Sequence, residues 1–224
     1  MNLKKTSSNR RIKLKQLDSS SKNYKKILSG LFIDGMGIAK IKPDAIAKIL
    51  DEQLIPSVFI GGSVVGCHTG QPRSTKDVDL IIPPESKWKK AVSKIVKLGK
   101  GLKVRQYPSF IEIYEKTPLG DSEVVDIINV FSGSYGLVFK NLIELDVNGE
   151  KINIPTAEMM IVLKYTAAIN PIRPKNKQMQ DWIDIYNIVS GNKTLSLWEI
   201  KHLANSVVPG FGDDLQDKIK SHLR

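Results

Sequence analysis

A glycine turn followed by two acidic residues is the part of the sequence best suited to chemistry. Gly61-Gly62-Ser63 follows a short apolar run, and Asp77-Val78-Asp79 begins fourteen residues after Ser63. A glycine turn lets phosphate groups approach the backbone, where amide N–H groups, a serine hydroxyl and a helix N-terminus can donate hydrogen bonds. Gly61, Gly62 and Ser63 are therefore candidate phosphate-binding residues.

The carboxylates of Asp77 and Asp79 favour a metal ion. They are two residues apart on a strand predicted over 77–82, and the period of a strand places both on the same face. Neighbouring carboxylates on an apolar strand repel one another unless a cation lies between them. Oxygen ligands of this kind suit Mg²⁺, which binds one or two carboxylates together with substrate phosphates.

A third carboxylate, Asp126, lies in the middle of the apolar run Val124–Ile128. An acid in such a strand is costly to bury without a counter-charge. If its strand lies beside that of Asp79, three carboxylates converge and can hold two metal ions, an arrangement for in-line displacement at phosphorus. Each feature alone is common as a turn or strand edge, but their order is hard to explain by packing.

The elements that must position these residues form an α/β (α+β) pattern with two parts. Apolar periodicity and turn residues predict strands before Gly61, over 77–82, 103–106, 110–115 and 123–130, and a hairpin at Asn148-Gly149. Helices are predicted over 43–54, 63–67, 85–98, 156–169, 177–189, 197–207 and 215–223. We therefore expect a mixed sheet flanked by helices over 24–154 and a helical domain over 155–224, after a tail over 1–23.

Composition excludes several classes of protein. The chain has 224 residues and a single cysteine, Cys67, which rules out an internal disulfide framework and an all-cysteine metal site. No apolar stretch approaches the length that spans a bilayer, so no membrane association is expected. The lack of an apolar signal-peptide core near Met1 predicts a reducing, cytoplasmic location.

Positive charge is concentrated at the N-terminus. The chain carries 34 basic and 23 acidic residues, and nine of the basic residues lie within the first 26 beside a single acid, Asp18. A basic tail next to a near-neutral body is typical of proteins that bind a polyanion such as nucleic acid. A disordered solubilising extension and an organelle transit peptide are the alternatives.

The residues 61–66 and 72–80 together resemble the signature of the DNA polymerase β-like nucleotidyltransferases, and Asp126 falls where that superfamily places its third metal-binding carboxylate. The second half is similar to AbiEii/AbiGii-type nucleotidyltransferases, which include toxins of bacterial toxin–antitoxin and phage-defence systems. There, residues 154–158 open a helix that carries Lys164, and residues 177–185 contain Asp181. The resemblance covers about Val58 to Val189.

The resemblance implies an enzyme with the nucleotidyltransferase fold that transfers a nucleoside monophosphate from an NTP to an acceptor and releases pyrophosphate. Asp77 and Asp79 would bind Mg²⁺, in a two-metal site that Asp126 completes while it helps to activate the acceptor hydroxyl. Gly62 and Ser63, next to Gly61, would hold the β- and γ-phosphates.

The remaining candidate residues flank this centre. Arg73 and Thr75, between the two motifs, are nucleotide-binding candidates, and Arg73 could instead position the strand. Lys164 would contact the triphosphate and neutralise charge as pyrophosphate leaves. Asp181 would orient Lys164 or contact the nucleotide, with Asp184 as the second choice.

RNA, and in particular a tRNA 3′ end, is the acceptor that we favour, because some members of the resembled toxin group modify tRNA and the basic tail could dock a phosphate backbone. A toxin would also have an antitoxin protein as partner. A small-molecule antibiotic, a protein hydroxyl, and a non-catalytic nucleic-acid-binding module with the same fold are the alternatives.

Overall fold

A five-stranded mixed sheet forms the centre of the first part of the chain. The computed structural model describes residues 21–83, 88–108, 110–129, 132–192 and 194–223. The strands lie in the order β1-β2-β5-β4-β3; their bounds are Val58–Ile60 (β1), Val78–Ile82 (β2), Leu102–Gln106 (β3), Phe110–Thr117 (β4) and Gly120–Asn129 (β5). Only β2 and β5 pair in parallel among these strands, which confirms a mixed sheet.

Helices surround this sheet, and four more follow it. The first five are α1 (Lys22–Gly35), α2 (Pro43–Glu52), α3 (Gly62–Thr69), α4 (Trp88–Val96) and α5 (Ser132–Lys140); the last four are α6 (Ala157–Ala168), α7 (Lys175–Gly191), α8 (Leu197–Val207) and α9 (Phe211–Leu223). None of the helices in the described ranges combines the length and apolar composition that a bilayer crossing demands.

A two-stranded hairpin joins the two parts. Strands β6 (Leu142–Val147) and β7 (Glu150–Pro155) pair antiparallel, as predicted from Asn148-Gly149. Both turn residues have positive φ, 56° and 86°, the left-handed conformation that a two-residue hairpin turn requires. Thr156 then caps α6 by accepting a hydrogen bond from the Met159 N–H.

One continuous apolar core runs through both parts of the chain, from Leu28 of α1 to Ile219 of α9. Tertiary packing explains α1, which the sequence analysis does not predict: Leu28 and Phe32 are almost fully buried, and α1 packs against α3 and β6. The helix begins at Lys22, two residues before the predicted start of the folded part. Residues 1–20 of the tail and the predicted helix start at Glu85 lie outside the described residues.

Candidate active site

The glycine turn places the backbone directly against a carboxylate. Gly61 follows β1 and has φ 83°, a conformation that favours glycine. A Cβ atom at this position would lie 1.9 Å from Asp79 Oδ2, a separation that no side chain tolerates. The turn therefore needs glycine both for its backbone angle and for the closeness of Asp79.

The strand register brings Asp79 and Asp126 together. They are directly paired residues on the neighbouring parallel strands β2 and β5, so their side chains share one face of the sheet. Asp77 precedes β2, which begins at Val78; the prediction that it lies on the strand is wrong by one residue. The Asp77 carboxylate and backbone carbonyl both accept hydrogen bonds from the Thr75 hydroxyl, which fixes the chain entering the strand.

Burial and mutual repulsion disfavour the charged forms of Asp79 and Asp126. Burial and the negative charge of Asp77 raise the pKa of Asp79 to about 6, although Lys164 and Lys177 act in the opposite direction. Burial and the charge of Asp79 raise the pKa of Asp126 to about 7. In addition, Asp126 Oδ1 is buried and has no hydrogen-bond partner among the described residues. A cation bound between the two carboxylates would relieve all three conditions.

The donor set fits a hard cation, although the side chains do not enclose one. Within the described ranges, no three histidine, cysteine or carboxylate side chains are arranged as a metal site. Asp79 and Asp126 supply oxygen ligands side by side, one of them unpartnered. Carboxylate oxygens are the ligands of Mg²⁺, and the thiol of the single cysteine is buried elsewhere, where Cys67 Sγ contacts the Leu28 carbonyl at 3.5 Å.

Two further acids lie on the same face of the sheet, and the sequence analysis misses both. Glu112 of β4 is the register partner of Asp126, and its Oε2 accepts a hydrogen bond of 2.8 Å from Arg105. Glu123 pairs with Tyr114 because an irregularity in β5 shifts the register there. Without that shift, strand alternation from Asp126 would place Glu123 on the opposite face, so no sequence pattern could assign it.

An ionic network adjoins the glycine turn at Arg73. We use the term for Arg73, Lys164 and Arg173 with the acids Asp181 and Asp184 of α7. Lys164 Nζ lies 2.9 Å from Asp181 Oδ1 and 2.8 Å from Asp184 Oδ2. Arg173 Nε lies 2.6 Å from Asp181 Oδ2, and Arg73 pairs with Asp184.

The network ties the motif loop to the helical part of the chain. Arg73 and Asp184 are 111 residues apart in sequence. Burial alone would raise the pKa of Asp184, but the hydrogen bond from Arg73 and the charge of Lys164 lower it. Asp184 also accepts a hydrogen bond of 3.0 Å from Gln180. Asp181 and Asp184 are both buried, and each forms ion pairs with two cations. Asp184 Oδ2 forms no hydrogen bond among the described residues, but unlike Asp126 Oδ1 it has a cation beside it, Lys164 Nζ at 2.8 Å.

The glycine turn contacts both the carboxylates and the ionic network, through Asp79 at Gly61 and Arg73 at Gly62. A Cβ atom at Gly62 would lie 3.5 Å from Arg73 Nε, so the Arg73 guanidinium borders the N-terminus of α3. Ser63 is buried in the first turn of that helix. The candidate phosphate-binding residues and Arg73 therefore adjoin, with Asp79 beside them.

His68 takes no part in this cleft. It is completely buried on α3, its Nε2 lies 2.9 Å from the Pro155 carbonyl oxygen, and burial lowers its pKa to about 4. The neutral ring therefore links α3 to the junction of β7 and α6.

Comparisons with known proteins give structural neighbours only. No protein-family model matches the sequence, and no curated protein matches it. The chain is similar to an antigenic nucleotidyltransferase-like protein from Paracoccidioides brasiliensis, with 19% identity, 90% of this chain and 94% of that chain covered, and a TM-score of 0.44.

A second neighbour is the antibiotic-resistance factor ANT(2'')-Ia, with 14% identity, 89% and 98% of the two chains covered, and a TM-score of 0.47. Its complex with adenylyl-2''-tobramycin gives 17% identity, 80% and 95% coverage, and a TM-score of 0.41. By their names, the first neighbour is a nucleotidyltransferase-like protein and the second an antibiotic-resistance factor. The narrower AbiEii/AbiGii-type assignment stays a prediction.

Proposed function

We propose that the protein is a Mg²⁺-dependent nucleotidyltransferase that moves a nucleoside monophosphate from an NTP to an acceptor hydroxyl. The observation that carries the proposal is the direct pairing of Asp79 with Asp126 beside the Gly61 turn. The unpartnered, buried Asp126 Oδ1 supports a cation at this position. The resemblance of the glycine–aspartate motif supplies the reaction class.

The position of each side chain suggests its role in the proposed reaction. Asp77, Asp79 and Asp126 would hold Mg²⁺, which when bound clamps the attacking and leaving oxygens and neutralises developing charge. The first-turn amides of α3 and the Ser63 hydroxyl would bind the β- and γ-phosphates. The acceptor oxygen bonds to the α-phosphorus while the bond to the bridging oxygen of the β-phosphate breaks; the hydroxyl loses its proton and pyrophosphate leaves.

Two further groups of residues, one for the acceptor and one for the nucleotide, would complete this chemistry. Asp126 would orient the acceptor hydroxyl, as the resemblance implies. On the nucleotide side, Arg73 and Thr75 border the glycine turn, and Lys164 adds positive charge to the same cleft under the control of Asp181 and Asp184.

RNA is the acceptor that we favour, in particular the 3′ end of a tRNA. The nine basic residues within the first 26 support this choice, because they can contact a phosphate backbone. With the AbiEii/AbiGii-type resemblance, this acceptor makes the protein a candidate toxin with an antitoxin as partner.

A cationic small molecule with a hydroxyl group, such as an antibiotic, is the second candidate acceptor. Glu123 and Glu112 favour it, because both lie on the face of the sheet next to Asp126. Negative charge at the acceptor side attracts an amine-bearing substrate and repels a phosphate backbone.

The test is label transfer. Purified protein is incubated with Mg²⁺, each of the four α-labelled NTPs and total tRNA, in parallel with the Asp79→Ala variant. We expect label on tRNA from one NTP and none with the variant. Label on an aminoglycoside or a protein instead would keep the chemistry and reject RNA. No transfer to any acceptor and no binding of Mg·NTP by the folded protein would overturn the proposal in favour of a non-catalytic binding module.

A further inference from the structure

One face of α7 points at the candidate active site. Lys177, Asp181 and Asp184 are spaced by four and three residues, so they lie in one row along the helix. Asp181 and Asp184 contact Lys164, and Asp184 contacts Arg73 next to the glycine turn. Lys177 is the first residue of this row, one turn closer to the helix N-terminus.

Lys177 is also the residue of that row whose charge is not neutralised. It is exposed, and it forms no ion pair or hydrogen bond with any residue in the described ranges. Lys164, in contrast, is 14% exposed and held by two carboxylates at 2.9 and 2.8 Å. An ammonium group bound in this way has little freedom to follow a substrate, whereas a free lysine on an exposed turn can do so.

Helix geometry distinguishes Lys177 from its neighbour Lys175. Lys177 lies four residues before Asp181, on the side of α7 that carries the ionic network. Lys175 is two residues earlier on the same helix, rotated by about 200° from Lys177, and donates a hydrogen bond of 3.2 Å to Gln178. The positive charge of Lys177 also lowers the pKa of Asp79, which agrees with this direction.

We propose that Lys177 is the cation that directly binds the β- and γ-phosphates of the NTP, and that Lys164 mainly holds α6 to α7. The proposal rests on the proposed function, because it requires a triphosphate beside Asp79. It assigns to the chain a phosphate-binding residue that the sequence pattern does not single out. Arg173, which pairs with Asp181, belongs with Lys164 to the supporting network.

The test measures binding of the α,β-methylene analogues of the four NTPs by calorimetry with Mg²⁺ present. Lys177→Gln should weaken binding of the preferred analogue at least tenfold without changing the unfolding temperature, and Lys177→Arg should restore most of the affinity. Lys175→Gln, the matched control, should change the affinity less than twofold. Lys164→Met should lower the unfolding temperature clearly, because it leaves Asp181 and Asp184 short of a partner.

The outcomes separate the two proposals. Analogue binding that is lost in Asp79→Ala but unchanged in Lys177→Gln would overturn the role of Lys177 and leave the nucleotidyltransferase proposal standing. Equal losses in Lys177→Gln and Lys175→Gln would also overturn it, since they would reflect overall charge. If the wild-type protein binds none of the four analogues, the proposed function fails, and the role of Lys177 with it.

Discussion

Two pairs of aspartates in this molecule face opposite electrostatic conditions. Asp181 and Asp184 are buried, but each is bound by two cations, and the pKa of Asp184 is lowered. Asp79 and Asp126 are partly buried and lie next to each other and to further acids, and their pKa values are raised to about 6 and 7. The described residues supply two cations to each member of the first pair, whereas no lysine or arginine among them forms an ion pair with Asp79 or Asp126.

This difference distinguishes carboxylates that stabilise the fold from carboxylates that are candidates for function. Buried carboxylates that are satisfied by the chain's own cations hold elements together, here α7, α6 and the motif loop. Carboxylates left together without a cation cost the folded protein free energy, and such sites are candidates for function. The comparison therefore predicts that variants of Asp79 and Asp126 lose activity, whereas variants of Asp181 and Asp184 lose stability.

The largest expected effect is on activity. Asp126→Asn should lower the rate of nucleotidyl transfer about a thousandfold, because in the proposed mechanism Asp126 binds the metal and orients the acceptor hydroxyl. The metal-free variant should unfold at the same temperature as the wild-type protein or higher, since one of two repelling charges is gone. Transfer kinetics and thermal unfolding, measured on the same preparation, check both statements. Wild-type transfer by the variant would contradict the assignment.

The second effect is on stability. Asp184→Asn should lower the free energy of unfolding by about 3 kcal/mol, because Arg73 and Lys164 both lose a charged partner. Denaturant unfolding of the variant measures this loss. A variant as stable as the wild-type protein would show that the network is not a structural link and would remove the contrast between the two pairs.

The third effect, that of replacing a glycine, distinguishes the cost of backbone strain from the cost of displacing Asp79. Gly61 and Gly101 have nearly the same φ, 83° and 80°, but a Cβ atom would meet Asp79 at the first position and open space at the second. Gly101→Ala should cost only about 1 kcal/mol of strain. Gly61→Ala should in addition displace Asp79 and lower transfer at least a hundredfold. Similar activity in the two folded variants would argue against a role for this close approach.

The smallest expected effect is the dependence of stability on pH. Since the folded pKa values of Asp79 and Asp126 are raised to about 6 and 7, the native state keeps protons that the unfolded chain has already released. The metal-free protein should therefore lose stability as the pH rises from about 4 to 7. The loss should be on the order of 2 kcal/mol, less than the full pKa shifts alone would give, because both carboxylates are partly exposed and water screens their charges.

Unfolding curves at pH 5 and pH 8, with and without Mg²⁺, measure this dependence. Mg²⁺ should raise the unfolding temperature more at pH 8, where both carboxylates are charged. The Asp126→Asn variant is the control, because its stability should vary less between the two pH values. A wild-type protein that gains stability from pH 5 to pH 8 without Mg²⁺ would contradict the account.

Local signals predicted the elements on the carboxylate side of the cleft, but not the pairing of its strands. Strand periodicity placed Asp79 and Asp126 on two strands, and the structure shows that these strands are neighbours. The Asn148-Gly149 signal predicted the hairpin with the turn that the structure shows. The four C-terminal helices were also predicted, because apolar residues recur along them at helical spacing. Helix α1 was missed, although Tyr24, Leu28 and Leu31 recur at that spacing.

Long-range contacts account for what the sequence could not supply. The pairing of Arg73 with Asp184 depends on packing between α3 and α7, which no local pattern encodes. The position of Glu123 depends on a register shift against Tyr114. Lys177 and Lys175 look equivalent in the sequence, and only the direction of the helix distinguishes them.

The central claim, that Asp79 and Asp126 await a divalent cation, is tested most directly by metal binding. Titration of the protein with Mn²⁺, followed by electron paramagnetic resonance, reports bound metal without any substrate. The account predicts saturable binding by the wild-type protein, loss of binding in Asp126→Asn, and retention in Glu144→Gln, where an exposed acid of β6 is removed. Binding that survives in Asp126→Asn, or none in the wild-type protein, would contradict it.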